Sequence, residues 1–349
     1  MSGVADPPAA VIRTTAVGSW PPPFGQRPAL RPFWRGDVTE DDPAVAAALA
    51  DAARIAMDEM LACELDQIAG GEVFAPDFVH TVPPRLTGVR AERSRDVSRG
   101  QQGVARYVVT GPIGAPRGLG HARAFARERA LEPRLDKVAV PTAFTIGLSF
   151  PRSELTGAVL EQLTGLVQVE IAQAVAAGAA EVQLDAPSEA IACIKGTAEV
   201  GRLADLIAAP FQGVAAGAPV RRSVHFCLGD IARKPSTQVQ NLRALLPLLQ
   251  ALDGRIDRAL IECSYSGQWD DRALLGNVPE SIEIVAGIGD VKSPPQPRDH
   301  YRRQIDQLLA VVPAERLAVS TSCGCGRMPH DDAIRLNLEL VRAAHGAGA

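Results

Sequence analysis

Residues 137–187 read KVAVPTAFTIGLSFPRSELTGAVLEQLTGLVQVEIAQAVAAGAAEVQLDAP. Val138–Ala143 has strand character. Pro151-Arg-Ser153 then predicts a helix capped by Ser153, with Leu155, Val159, Leu163 and Leu166 on one face and Gly178 as its stop. Val182–Leu184 returns to strand. Two strands joined by a long helix demand a parallel crossover, because an antiparallel pair would need only a short turn.

Toward the C-terminus the unit repeats. Strands are predicted at Ser223–Phe226, Ala259–Ile261, Ile282–Ala286 and Leu317–Ser320, interleaved with helices near 194–209, 236–251 and 298–311. A last helix carries Ile334, Leu338 and Val341. Toward the N-terminus, Ala10–Val17 predicts a first strand, stopped at Gly18-Ser19-Trp20 by three prolines that cannot continue a ladder. Pro43 opens a helix with Val45, Leu49, Ala52, Ala56 and Met60 in phase, and Leu65–Ala69 predicts a second strand, closed by Gly70-Gly71-Glu72. The expected fold is therefore α/β, a (β/α)8 TIM barrel formed by residues 1–349 as one domain. Residues 77–134 contain eleven arginines and the loop Gly111–Gly118, and read as an Arg-rich excursion between the second and third barrel strands. Its basic side chains either hold an acidic substrate tail or form a solvated face paired to the acidic remainder. An open doubly wound sheet is the alternative, but no Gly-x-Gly-x-x-Gly follows the first strand.

Composition narrows the function. A net charge of −4 speaks against a nucleic-acid binder, and 46% apolar with 22% charged residues is globular. The first residues lack a cationic segment followed by an apolar one, and no apolar run reaches the roughly 18 residues a membrane span requires. Cytoplasmic small-molecule chemistry is the expectation, with no nucleic-acid or membrane partner. Six cysteines in such a chain read as core residues, metal ligands or reactive thiols rather than a disulfide framework.

Three stretches concentrate the chemistry: Val224-His-Phe-Cys227, Leu260-Ile-Glu-Cys263 and Ser320-Thr-Ser-Cys-Gly-Cys325. Each lies where a predicted strand ends, the rim that carries barrel active sites. His225 and Cys227 are two residues apart, so an extended chain points both the same way. With Glu262 and Cys323 they offer a nitrogen, an oxygen and two sulfurs, a donor set suited to Zn²⁺. Cys325 competes with Cys323, which is nearer the strand end. Cys263 points away from Glu262 by alternation, and Cys63 and Cys193 have no partner at ligand spacing.

The chain resembles the C-terminal catalytic barrel of the cobalamin-independent methionine synthases and the shorter stand-alone proteins of that superfamily. Thr14-Thr-Ala-Val-Gly-Ser19, Gly71-Glu72, Lys137–Phe150, Val182-Gln-Leu-Asp-Ala-Pro187, His225-Phe-Cys227, Glu262, Asp290-Val-Lys-Ser-Pro294, Pro313–Leu317 and Cys323-Gly324 are similar in order and spacing. The resemblance implies zinc on His225, Cys227, Glu262 and Cys323, with Glu262 displaced when a substrate thiol binds as thiolate. It implies a homocysteine-like acceptor whose amino-acid part meets the backbone at Val17, Gly18 and Ser19 and whose ammonium faces Glu72 and Asp185. Without the resemblance, Asp185 would read as a cap before Pro187 and Glu72 as a loop acid.

The donor side departs from the family. Leu148 stands where a folate-stacking tryptophan is expected, Ala186 replaces an acid, and Lys292 replaces the histidine following Asp290 by two residues. Asp290 and Lys292 are the catalytic candidates there. Lys292 orients an anionic group, stabilises a leaving alkoxide, or pairs with Asp290 or nearby acids. Methyltetrahydrofolate and methylcobalamin are both candidate alkyl donors. The expected activity is a zinc-dependent thiol S-alkyltransferase, most simply a methyltransferase. A uroporphyrinogen-decarboxylase-like enzyme and a non-catalytic binding barrel are the alternatives.

Overall fold

A computed structural model describes residues 11–23, 25, 27–34, 37–75, 81–93, 105–213, 220–230, 233–234 and 241–346. In chain order the elements open with β1 (Arg13–Thr14), α1 (Arg27–Trp34), α2 (Pro43–Ala62), β2 (Thr87–Arg93), β3 (Ala105–Gly114) and α3 (His121–Leu131). They continue with β4 (Lys137–Pro141), α4 (Ala143–Ile146), α5 (Gly157–Ala176), β5 (Glu181–Asp185), α6 (Pro187–Lys195), α7 (Val200–Ala208) and β6 (Arg221–Phe226). The last are α8 (Leu246–Ala251), β7 (Arg258–Glu262), α9 (Ser266–Asp270), β8 (Glu283–Gly289), α10 (Arg298–Leu309), β9 (Leu317–Thr321) and α11 (His330–Ala344).

Among the described residues, seven strands form one parallel sheet in the order β1-β9-β8-β7-β6-β5-β4. From β4 to β9 each strand lies beside its predecessor, and the first strand pairs with the last through Arg13 with Ala318 and Thr14 with Val319. A doubly wound sheet reverses its order in the middle, and this curled sheet does not.

The sheet has three layers on its inner side, set by the two-residue alternation of each strand. At the strand starts, Ser223 Oγ donates to Glu181 (2.6 Å), and Arg258 donates to Glu181 (2.9 Å) and Glu283 (3.0 Å). In the middle, Val17, Leu260, Val285 and Ala318 form a small apolar cluster of their own. At the strand ends come Asp185, His225 and Glu262, in phase with the layers below. The alternate residues, among them Val182, Val224, Ile261, Ile284 and Val319, belong to the large core under the helices. Strands buried on both faces read as apolar runs, which is why β4 to β9 stand out in the sequence.

Several local expectations are corrected. The long helix is capped by Thr156, whose hydroxyl accepts from Val159 N–H (3.3 Å), because Arg152–Glu154 forms a separate 3-10 turn. The helix expected near 194–209 is two, α6 and α7, parted at Gly196 in the left-handed region (φ 59°). The helix expected over 236–251 is seen only as α8, with residues 242–245 in bends and turns before it; residues 236–240 lie outside the described residues. Residues 65–69 are not a continuous strand but make isolated parallel bridges, Thr15 with Gln67 and, beyond, Ser19 with Gly71. The Asp66 carboxylate takes the Thr14 N–H (2.7 Å) and hydroxyl (2.8 Å), and left-handed residues at Glu64, Gly71 and Glu72 turn the chain at both ends.

Within 77–134, β2 and β3 pair antiparallel as a sheet of their own. The segment then re-enters the regular pattern as α3, a helix the sequence reading did not predict. Its buried face includes His121 and Glu128 beside Ala122 and Phe125, so apolar periodicity does not reveal it. Residues 77–80 and 94–104 of the excursion lie outside the described residues. Arg85 pairs with Glu40 (2.7 Å), Arg117 with Asp41 (2.6 Å), and Arg123 with both Glu40 (2.8 Å) and Asp41 (2.6 Å). These three guanidinium groups are engaged by acids of the chain itself, the second of the two readings of the basic segment. Among the described residues, no helix is long and apolar enough to cross a membrane.

Candidate metal centre and thiol pocket

His225 is the penultimate residue of β6, and Cys227 follows its end; Cys323 lies two residues beyond β9. Their ligand atoms all lie within 4.8 Å of one another. The two Sγ atoms are 3.8 Å apart. Two thiolates on a tetrahedral ion with metal–sulfur bonds of about 2.3 Å stand about 3.8 Å apart, so the spacing suits such an ion. His225 is 3% exposed, yet neither ring nitrogen has a hydrogen-bond partner. Buried polar atoms are rarely left in that condition, and a cation among these three side chains would satisfy one of the two nitrogens. Hydrogen bonding to Cys227 is the main influence holding the Cys323 thiol well below its ordinary value, with the His225 and Lys292 charges adding to it against burial. Cys227 is correspondingly pushed well above.

Glu262, the last residue of β7, is buried beside this group without joining it. Its Oε1 accepts from Lys292 Nζ (2.6 Å) and its Oε2 from the Leu228 N–H (2.7 Å). Lys292 also stands over the Tyr265 ring, 5.6 Å from its centroid. Asp290 braces the loop after β8, accepting from the Lys292 N–H (2.9 Å) and the Ser293 hydroxyl.

The carboxylates expected to face an ammonium approach from other rim positions. Asp185 ends β5, where Gln183, two residues earlier on the same face, donates to it (2.7 Å) and to the Val17 carbonyl (3.0 Å). Lys137 Nζ donates to Gln183 (3.1 Å), to Thr15 (3.0 Å) and to the Ala16 carbonyl. Gln183 and Lys137 are positioning residues that sequence reasoning missed, although Gln183 follows from strand alternation once Asp185 is chosen. Glu72 sits in a left-handed conformation (φ 52°) that aims it at Gly18, where any Cβ would stand 2.0 Å from Oε1. Gly18 therefore admits the carboxylate. Burial raises Asp185 to about 6, against the pull of His225 and Gln183. Burial and then the Asp185 charge push Glu72 well above its ordinary value, and Cys323 adds to the push. The Cys323 charge adds to the upward push on both carboxyls.

Ser19 has a structural duty. Its carbonyl accepts from Cys325 N–H (2.7 Å) and its hydroxyl from Gly326 N–H (3.3 Å), fastening the turn that carries Cys323. A Cβ at position 324 would lie 2.1 Å from Ser19 Oγ, so glycine is required there. Cys325 is buried with Asn337 donating to its sulfur (3.6 Å), and Cys263 and Cys63 are core residues. Cys193 packs against that core, partly buried.

The family model described as cobalamin-independent synthase, catalytic domain, matches residues 12–346. The 5-methyltetrahydropteroyltriglutamate–homocysteine methyltransferase of Nitratidesulfovibrio vulgaris is 26% identical over 321 residues, covering 90% of this chain and 38% of that enzyme. The chain thus spans well under half the length of that relative. A B12-independent methionine synthase from a Shewanella species, solved with selenomethionine, superposes with a TM-score of 0.77 at 18% identity, covering 96% of this chain and 97% of the other. A putative vitamin-B12-independent methionine synthase from Listeria monocytogenes gives 0.69 at 18% identity, with 96% and 97% covered. These two likenesses support the fold, and the family match over nearly the whole chain carries the assignment: the chain belongs to the cobalamin-independent methionine synthase catalytic-domain family.

Proposed function

We propose that the chain is a zinc-dependent thiol S-methyltransferase acting on homocysteine or a related amino thiol. Its scaffold is a single (β/α)8 barrel in which residues 65–71 are the second stave and 77–134 the excursion before the third. The observation that carries this reading is a cluster of one histidine and two cysteines spaced to hold a cation, on the same rim as two carboxyls that burial raises. A substrate with a thiol at one end and an ammonium at the other answers both.

His225, Cys227 and Cys323 hold the zinc. The metal supplies a Lewis acid that keeps sulfur as thiolate at neutral pH, where a free thiol of pKa about 8.5 is mostly protonated. Glu72 and Asp185 orient the ammonium, and Gly18 leaves them room, while the backbone at Val17 and Ser19 closes the amino-acid end. Lys292 and Asp290 bound the donor side. Half-exposed Leu148, 48% accessible, gives that side an apolar surface in place of an aromatic one. The relative's name supports a methylated folate as donor. On transfer the sulfur–carbon bond forms as the folate donor's nitrogen–methyl bond breaks, the bonding pair staying on the donor nitrogen, which takes up a proton from solvent.

The test is to incubate zinc-loaded protein with homocysteine and, in separate reactions, methyltetrahydrofolate (mono- and triglutamate) or methylcobalamin, and to quantify methionine. Methionine from a folate donor is the expected result. Formation only from methylcobalamin would keep the thiol reading and replace the donor. No S-methyl product from either donor with any amino thiol would contradict the function.

A further inference from the structure

Lys292 is thirty positions from Glu262 in the chain, yet the two form an ion pair of 2.6 Å with both side chains 1% exposed. Both carboxylate oxygens already have partners within the protein, Lys292 on one and the Leu228 N–H on the other. Lys292 is fixed in turn by Tyr265 beneath its ammonium and by Asp290 on its backbone. The three donors that do converge are His225, Cys227 and Cys323. Resting on the zinc reading above, we infer that Lys292 withholds Glu262 from the metal, so that this chain's resting centre has three protein ligands and a position open to the substrate's sulfur.

Charge favours that arrangement. A divalent ion with two thiolates and an imidazole is neutral, and an anionic sulfur joins a neutral centre more readily than one already carrying a fourth, anionic ligand. The Glu262 charge is meanwhile balanced by Lys292 in a region where an unpaired charge is costly. Three protein ligands with one open position is the pattern of catalytic zinc sites, whereas four closed ligands mark structural ones. Lys292 is therefore a positioning residue that acts on the metal through Glu262.

Cobalt(II) substitution reads the ligand set directly, through its ligand-field and sulfur-to-metal charge-transfer bands and through chelator competition. Glu262→Gln keeps an acceptor for Lys292 and Leu228. It is expected to leave the cobalt spectrum unchanged and the metal affinity within about threefold of the parent, against the 10–100-fold loss typical when a residue supporting a metal site is removed. Lys292→Gln releases Glu262, and is expected to shift the ligand-field bands and to weaken the spectral response to added homocysteine. Should either single variant fail to fold, the double variant Glu262→Gln/Lys292→Met removes both charges together and is expected to show the parent spectrum. A Glu262→Gln or double-variant spectrum unlike the parent's, or a tenfold or greater loss of affinity, would overturn the inference while leaving the zinc reading intact. A parent protein that takes up no cobalt would overturn both.

Discussion

Cys323→Ser is expected to reduce bound zinc from about one equivalent to below a tenth and to abolish thiol methylation. The serine hydroxyl does not ionise near neutral pH and is a harder, weaker donor than thiolate, so the site loses one of its two sulfurs and the charge that came with it. The scaffold should survive. Cys323 is half-buried, its sulfur meets Cys227, and the turn that carries it is fastened by Ser19 through backbone N–H groups that the substitution leaves in place. Far-ultraviolet circular dichroism should match the parent's. Cys325→Ala is the control: it lies outside the ligand group and should retain zinc, losing the Asn337 hydrogen bond to sulfur and some core packing. Metal analysis decides the matter. A Cys323→Ser protein with near-stoichiometric zinc would remove that residue from the centre.

The second large effect is expected at the opposite end of the strands. Arg258 is 4% exposed and joins Glu181, Glu283 and the Gln67 side chain through its two terminal nitrogens. Burial pushes the Glu181 carboxyl up, but the Lys137 and Arg258 charges more than reverse this and hold it below its usual 4.5. Arg258→Met keeps much of the stem and removes the buried cation that joins Glu181 to Glu283, leaving Lys137 as the main charge opposite Glu181. Breaking a buried pair by removing one partner costs about 3–5 kcal/mol, and denaturant unfolding should show a loss of that order at pH 7. The pH dependence has a definite sign. Without Arg258 the folded-state pKa of Glu181 is less depressed, so the stability deficit should shrink as pH falls through the carboxylate range, where the group protonates in both proteins, and be full near neutrality. Adding Glu181→Gln should restore most of the loss. A deficit under about 1 kcal/mol would mean that the network is solvated and carries little of the fold.

Strands β4 to β9 were legible because they are buried on both faces and so read as short apolar runs between helical segments. The same rule hid α3, where His121 and Glu128 occupy positions an apolar stripe would fill. It also over-read 65–69, where composition suggests a strand but Asp66 takes the Thr14 N–H that a ladder would use. At the rim, two-residue spacing placed His225 and Cys227 on one side of β6, and proximity to a strand end favoured Cys323 over Cys325. What spacing does not encode is the choice of partner across strands. Glu262 has the right residue type at the right strand end, but its partner in the fold, Lys292, comes from the loop after the next strand. Sequence proximity offers Asp290 as the acid for Lys292, but Asp290 takes its backbone N–H and the ammonium pairs with Glu262, a choice that depends on how the sheet brings neighbouring strand ends together.

X-ray absorption at the zinc edge, with and without homocysteine, counts the sulfur ligands of the centre. Two at about 2.3 Å are expected in the resting protein, from Cys227 and Cys323, and three once homocysteine is added. Fewer than two sulfurs at rest, or a count that homocysteine leaves unchanged, would contradict the zinc reading.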